Sequence, residues 1–363
     1  MDRVRVLAVD DSALMRRYLR ESLPESEGFQ VLTARNGEEA LAEIRRRDPD
    51  VVTLDVNMPQ MDGVTCLSRI MVEVPRPVVM VSSLTEEGAL VTLEALELGA
   101  VDYIPKPGGT VSRELEDLGP VIRAKVRAAA RARPAPAPAP PSATAKAGPA
   151  SGPAADAREK DSPLDLPPGL VLVGVSTGGP RALESFLPRL PADFPFPVVV
   201  AQHIGEAFTR LLAERLDGLC SLGVREVSGQ TPLRPGEVAL GRGDRDLLVG
   251  RRANHLVALL APPDSRRFQW HPSVDRLVWS ALAHIPAERT VGVQLTGMGH
   301  DGVSAFTDLY RGGGHTIAES EETAVVYGMP RELVEEGGAE MVRPIQDIGD
   351  QVARWAREDA PCP

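Results

Sequence analysis

Short apolar runs alternate with amphipathic stretches through the first 130 residues. Val4 to Val9, Gln30 to Ala34, Val51 to Val56, Val78 to Ser82 and Val101 to Ile104 are apolar and largely β-branched, the pattern of strands covered on both faces. The segments between them repeat apolar residues at helical spacing, as Leu14, Tyr18 and Leu19 do after Ser12. Five such units predict a parallel, flavodoxin-like α/β domain over residues 1–130.

Over residues 131–166 the alternation collapses into Pro and Ala with scattered Ser, Gly and charge, including the run from Pro134 to Pro141. This composition predicts a disordered linker, semi-rigid in its first part and able to extend to ~100 Å at ~3 Å per residue. A second strand and helix series then occupies 167–357. Leu170 to Val175, Val198 to Gln202 and Val291 to Leu295 are apolar runs ending in small or polar residues. The stretch from Val224 to Leu260 is richer in glycine and turn signals. Val238 to Leu240, Asp246 to Val249 and His255 to Leu259 read there as short, partly antiparallel strands. The expected second domain is α/β with a mostly parallel sheet.

Composition narrows the function. A chain of 363 residues suits two domains. No apolar stretch approaches the ~20 residues of a membrane span, and the N-terminus has no signal-peptide pattern, so no membrane insertion and a cytoplasmic location are expected. The three cysteines, Cys66, Cys220 and Cys362, have no C-x-x-C spacing and suggest neither a disulfide framework nor a zinc site. A net charge of −11 disfavours nucleic-acid binding.

Candidate chemistry gathers at strand ends. Asp10 and Asp11 close the first predicted strand and Asp55 the third, on the edge where open α/β sheets bind ligands. Three carboxylates sharing a pocket need a compensating cation, and oxygen-only ligands favour Mg²⁺. Ser82 closes the fourth strand and Lys106 lies just beyond the fifth, facing the acids with a hydroxyl and an ammonium. An acyl phosphate needs these parts: a carboxylate nucleophile, a metal, and groups to hold the phosphoryl oxygens. Any one Asp at such a junction also reads as a helix cap.

The second half carries Gly174-Val-Ser-Thr-Gly-Gly179 between a strand and a helix beginning near Pro180, which puts Ser176 on a tight turn with helix N–H groups behind it. The loop alone also fits a phosphate-cradling turn of a nucleotide site. The other strand ends favour a nucleophile. His203 closes the second strand, where a dinucleotide fold more often carries an acid, and Asp301 follows the third through Thr296-Gly-Met-Gly-His-Asp-Gly302. In that arrangement His203 takes the serine proton and Asp301 orients the imidazole. His300 is a rival base. His255, His271, His284 and His315 have no metal-ligand spacing and read as surface or packing residues, with Ser273 as a helix cap.

With these residues in view, residues 1–125 resemble response-regulator receivers, on Asp10-Asp11, the run Asp55 to Gly63, Ser82 and Lys106. The resemblance implies phosphorylation of Asp55 by a histidine kinase, Mg²⁺ held by Asp10, Asp11, Asp55 and the Asn57 backbone carbonyl, and a switch formed by Ser82, Tyr103 and Lys106. Residues 168–350 resemble the chemotaxis methylesterase (CheB) family, on Val175 to Pro180, Ala201 to His203, Phe208-Thr209, Arg234 to Gly236, His271 to Asp275, Leu295 to Gly302 and Gly328 to Arg331. This implies catalytic Ser176, His203 and Asp301, with backbone N–H groups near Thr177 and Met298 assisting. It also implies glutamyl methyl esters of chemoreceptors as substrate, glutamine deamidation as a second activity, and no cofactor for ester hydrolysis. Departures fall at Ile204 to Glu206, Arg242 to Asp244 and Arg266 to Trp270. An intramolecular receiver–hydrolase contact is expected to close the pocket until Asp55 is phosphorylated. The alternative is a receiver-controlled docking module whose second half is catalytically silent.

Overall fold

A computed structural model of the protein describes residues 3–83, 85–106, 114–132 and 166–358. Nearly all of the expected linker, and Cys362, lie outside the described residues.

The first domain consists of β1 (Val4–Val9), α1 (Ala13–Ser22), β2 (Phe29–Ala34), α2 (Gly37–Arg47), β3 (Val51–Asp55), α3 (Gly63–Glu73), β4 (Val78–Ser82), α4 (Glu86–Glu97), β5 (Asp102–Pro105) and α5 (Glu114–Arg131). Its strands pair in parallel in the order β2-β1-β3-β4-β5, and β3 and β4 are buried at every position. The order reverses at β1, which places the ligand crevice at the carboxyl ends of β1 and β3. Each of the first four helices starts on a side-chain cap. Ser12, Asn36, Asp62 and Thr85 accept hydrogen bonds from the N–H groups of Met15, Glu39, Thr65 and Gly88. Such caps contribute about 1 kcal/mol each and set where the chain turns out of the sheet.

The second domain consists of β6 (Leu170–Val175), α6 (Gly179–Phe186), β7 (Val198–Gln202), α7 (Glu206–Leu219), β8 (Gly223–Glu226), β9 (Thr231–Pro232), β10 (Glu237–Leu240), β11 (Asp246–Arg252), β12 (His255–Ala261), α8 (Val274–Leu282), β13 (Thr290–Gln294), α9 (Val303–Arg311), β14 (His315–Glu319), α10 (Met329–Glu335), β15 (Met341–Arg343) and α11 (Ile345–Glu358). Seven strands form one parallel sheet, β15-β14-β13-β6-β7-β10-β8, and β11-β12-β9 form a small antiparallel one. The run Val238 to Leu240, expected in the partly antiparallel region, belongs instead to the parallel sheet, between β7 and β8. The edge strands β8 and β15 and the polar-rich β14 carry too little apolar pattern to announce themselves. In β14 the buried Thr316 hydroxyl bonds Gly338 O at 2.7 Å.

The two domains are packed together. Arg215 of α7 pairs with Glu97 of α4 and with Glu184 of α6. Tyr103 of β5 lays its ring on Phe208 of α7 at 4.2 Å between centroids, and its hydroxyl accepts from Gly205 N at 2.9 Å. One apolar cluster runs from Leu7 and Leu54 through Tyr103 to Phe208 and Val173. Among the described residues no helix is long and apolar enough to cross a membrane.

Helix α3 begins against the end of β3, where Gly63 N donates to Val56 O at 2.8 Å and an added Cβ would collide with the backbone oxygen of Asp55. Gly63→Ala is expected to lower stability by about 2 kcal/mol or more in urea unfolding. Gly218→Ala, in α7 with open space around it, should be neutral or stabilising by up to about 1 kcal/mol.

Candidate active site and phosphorylation pocket

At the carboxyl edge of the first sheet, Asp10, Asp11 and Asp55 bring one carboxylate oxygen each within 4.8 Å of one another. Asp10 and Asp55 are buried, and Lys106 Nζ lies 2.7 Å from Asp55 Oδ1 and 3.4 Å from Asp10 Oδ2. Burial and the neighbouring Asp55 push the Asp10 pKa up. Burial also works against the Lys106 charge, but its two acidic partners outweigh it and hold its pKa above the ordinary value. Asp55 Oδ2 is buried and accepts no hydrogen bond among the described residues. One ammonium against three carboxylates, with an unpartnered oxygen among them, fits a divalent cation that prefers oxygen ligands. Ser82 is buried beside this pocket, its hydroxyl donating to Gly88 O at 3.2 Å. Asn57 meets the pocket through its N–H, 3.2 Å from Asp55 Oδ1.

In the second sheet β6 lies between β13 and β7, so the residues following these three strands are lateral neighbours. Ser176 N donates to Thr296 O at 2.9 Å and His203 N to Val175 O at 3.0 Å, which laces the three ends together. Gly178, at φ +79°, makes the left-handed turn that opens α6 behind Ser176. His203 Nε2 lies 2.8 Å from Asp301 Oδ2. Asp301 also accepts from Ser273 Oγ at 3.0 Å and from the N–H groups of Val274 at 2.8 Å and Asp275 at 3.1 Å. Its carboxylate therefore sits on the first turn of α8, where N–H groups and the helix dipole favour negative charge. Burial alone would raise its pKa, but the His203 and backbone bonds outweigh it and hold the carboxyl below the usual range. With Nε2 engaged, Nδ1 is the imidazole nitrogen left without a partner.

Ser176, Thr177, His203 and Met298 line one cavity of about 240 Å³. Among the described residues no hydrogen bond joins Ser176 to His203. Tyr103, Pro105, Val121 and Lys125 of the first domain line the same cavity and cover it. Asp102 of β5 reaches furthest: its Oδ2 accepts from Thr177 Oγ1 at 2.6 Å, while Lys125 Nζ holds Oδ1 at 2.7 Å. The rival base, His300, is exposed and makes no bond to Ser176 or Asp301.

Three supports of this site escaped the sequence reading. Asp246, fully buried at the start of β11, lies 2.9 Å from His271 Nδ1, accepts from Ser273 N at 2.9 Å and Asp264 N at 3.2 Å, and pairs with Arg276. Trp270, next to His271, stacks on the His203 ring at 5.8 Å and 17°. Asp102 read only as a strand residue. None belongs to a short motif. For Asp102 and Asp246 the one available signal was an acid opening a strand whose next residues are apolar, and Trp270 falls only in the departing stretch Arg266 to Trp270. Ser273 caps α8 as expected and also donates to Asp301.

A phosphate-accepting receiver folded across the catalytic face of an α/β hydrolase domain is a single-chain response regulator with an enzymatic output. The comparisons agree: the model for the response regulator receiver domain matches residues 6–114, and that for CheB methylesterase matches residues 171–352. A protein-glutamate methylesterase/protein-glutamine glutaminase of Rhodopseudomonas palustris is 52% identical, covering 98% of this chain and 99% of its own. One of Rhodospirillum rubrum is 52% identical over 97% and 96% of the two chains. The crystal structure of the Thermotoga maritima CheB methylesterase catalytic domain, 37% identical, covers 51% of this chain and 97% of its own at a TM-score of 0.49. The chain belongs to the CheB methylesterase family.

Removing Asp246 would leave Arg276 uncompensated and unseat Ser273. Asp246→Ala is expected to cost about 3–5 kcal/mol in urea unfolding, against about 1 kcal/mol for Ser273→Ala. Asp275, whose Oδ1 accepts from Ala305 N at 2.9 Å, has its pKa raised to about 6 by burial and by Asp301. The folded state thus keeps a proton that the unfolded chain gives up near pH ~3.9, so stability falls as pH rises from about 4 through 6. Asp275→Asn removes that cost. Its stability relative to the unsubstituted protein should be about 1–3 kcal/mol more favourable at pH 7.5 than at pH 4, read by urea unfolding at both.

Proposed function

We propose that Ser176, His203 and Asp301 hydrolyse glutamyl methyl esters of chemoreceptors, and that the same groups deamidate glutamine. The observation that carries this reading is the His203–Asp301 pair, fixed on the end of α8 beside the turn that bears Ser176. His203 takes the Ser176 proton on Nδ1 as Oγ bonds the ester carbonyl carbon. The oxyanion is received by N–H groups near Thr177 and Met298. The imidazolium, balanced by Asp301, returns its proton to the departing methoxide, which leaves as methanol, or to the departing amide nitrogen, which leaves as ammonia. Water then adds to the acyl-enzyme, giving its proton to His203. The tetrahedral intermediate collapses to glutamate, and Oγ leaves with that proton. A silent docking module is not favoured for a chain so similar to named methylesterases along its full length.

In the receiver, Asp55 accepts the phosphoryl group from a chemotaxis histidine kinase. Asp10, Asp11, Asp55 and the Asn57 carbonyl are the ligands for Mg²⁺, which offsets charge on the transferred group. Ser82 and Lys106 hold phosphoryl oxygens, and Tyr103 carries the change to α7. Residues 1–130 and 167–357 act as the two units, joined by 131–166, and the protein works in the cytoplasm. Covalent linkage supplies an effective concentration of roughly mM, so about 4 kcal/mol of contact energy already closes the cavity half of the time, and each further ~1.4 kcal/mol favours the closed state tenfold. The Tyr103, Asp102 and Arg215 contacts hold the closed state beyond that point, and losing about 1.4 kcal/mol of them shifts the balance tenfold.

Ser176→Ala should lose methanol release from radiolabelled methylated receptor by about 10⁴-fold, and an active variant refutes the nucleophile. Phosphodonor should raise the rate of the unsubstituted protein but not of Asp55→Asn. Tyr103→Ala should raise the rate several-fold without phosphodonor, because it loses the Gly205 bond and the Phe208 ring contact.

A further inference from the structure

The proposed chemistry uses the ends of β7, β6 and β13. The next strand on that edge, β14, ends in Glu319, a carboxylate only 1% exposed. Its Oε2 accepts from Thr296 N at 2.8 Å and its Oε1 from Thr323 Oγ1 at 3.0 Å. Thr296 begins the loop that carries Met298 and Asp301, and it is bonded to the serine turn twice. Its carbonyl accepts from Ser176 N at 2.9 Å, and its hydroxyl donates to Thr177 O at 2.9 Å. The same hydroxyl accepts from Val326 N at 2.9 Å. A single residue thus sets the spacing between the two backbone segments that flank the reacting carbonyl, and Glu319 holds that residue from behind.

The site is built for an acceptor-only group. Thr296 N–H has no choice but to donate. Thr323 Oγ1 already accepts from Ile345 N at 3.0 Å, which leaves its own proton to point at Glu319. A carboxylate satisfies both donors, whereas a carboxamide sets its NH₂ against one of them.

We propose that Glu319 is a positioning residue for the acyl-transfer site, acting through Thr296 to align the turn of Ser176 and Thr177 with the loop of Met298. The inference rests on Ser176 being the nucleophile. A hydrogen bond to an ionised carboxylate is shorter and roughly twice as strong as a neutral one, so the alignment tightens when Glu319 is charged. Burial opposes that charge and pushes the Glu319 pKa to about 7, which puts the change inside the working range. Charged groups on the surrounding elements have other partners or face elsewhere. Arg343 lies opposite on β15 with its guanidinium on Val342 O, Arg331 of α10 is taken by Glu332 and Glu335, Asp308 of α9 accepts from Trp279, and His315 pairs with Glu340. Neither Glu321 and Glu322 on its own loop nor Asp347 of α11 contributes to its titration. Glu319 therefore titrates against burial and its two hydrogen bonds alone.

The test is methanol release by the full-length, phosphodonor-activated protein from pH 5.5 to 8.5, comparing the unsubstituted chain with Glu319→Gln at each pH so that other titrations cancel. The expected result is equal kcat near pH 5.5 and a three- to tenfold advantage for Glu319 by pH 8.5, with KM changed less than twofold. Glu319→Leu, which leaves Thr296 N–H unpaired, should lose about 10²-fold in kcat. A kcat ratio between the chain and Glu319→Gln that stays flat across the range overturns the proposal, whether or not the leucine variant folds. If Ser176→Ala is inactive while that ratio is flat, positioning by Glu319 fails and the nucleophile stands. If Ser176→Ala is active, both readings fall.

Discussion

The catalytic half depends on keeping one carboxylate ionised where water is excluded. Asp301 is almost fully buried, and a buried charge is tolerated only with donors around it. The first turn of α8 supplies two N–H groups and the Ser273 hydroxyl, and His203 supplies the fourth contact. Where α8 begins therefore decides which way the imidazole faces. That start is fixed in turn by Asp246, which binds the Ser273 N–H and the Arg276 guanidinium one turn on. A second buried acid, with no access to substrate, thus holds the geometry of the first.

The receiver uses the same physics with the opposite sign. Its acids are crowded and under-partnered, with Asp55 Oδ2 left without a donor. Such a pocket is stabilised by adding a cation. The hydrolase has its charges satisfied before substrate arrives, and the receiver keeps them unsatisfied. A rigid catalyst and a responsive sensor follow from that difference in hydrogen-bond supply.

Both parallel sheets were legible because their central strands, such as β3, β4, β6 and β7, are buried on both faces and read as unbroken apolar runs. The site residues were legible for a related reason, since the ends of such strands converge on one edge. What escaped was whatever lies off that pattern. β14 carries buried Thr316 and Glu319, so its polarity hid it, and β10 joins the parallel sheet from a region that reads as turns. Asp246, Trp270 and Asp102 act through partners 27, 67 and 75 residues away in Ser273, His203 and Thr177, respectively, and no local spacing encodes such contacts.

The cavity that holds Ser176 and His203 is small. At about 240 Å³ it offers little room beside a receptor helix, which with its side chains is ~10 Å across. The resting enzyme is therefore a sieve. In the proposed mechanism a compact ester needs less room beneath β5 than a polypeptide, which must wait for that roof to lift. Chromogenic reporters would therefore register more turnover by the unstimulated protein than natural macromolecules do.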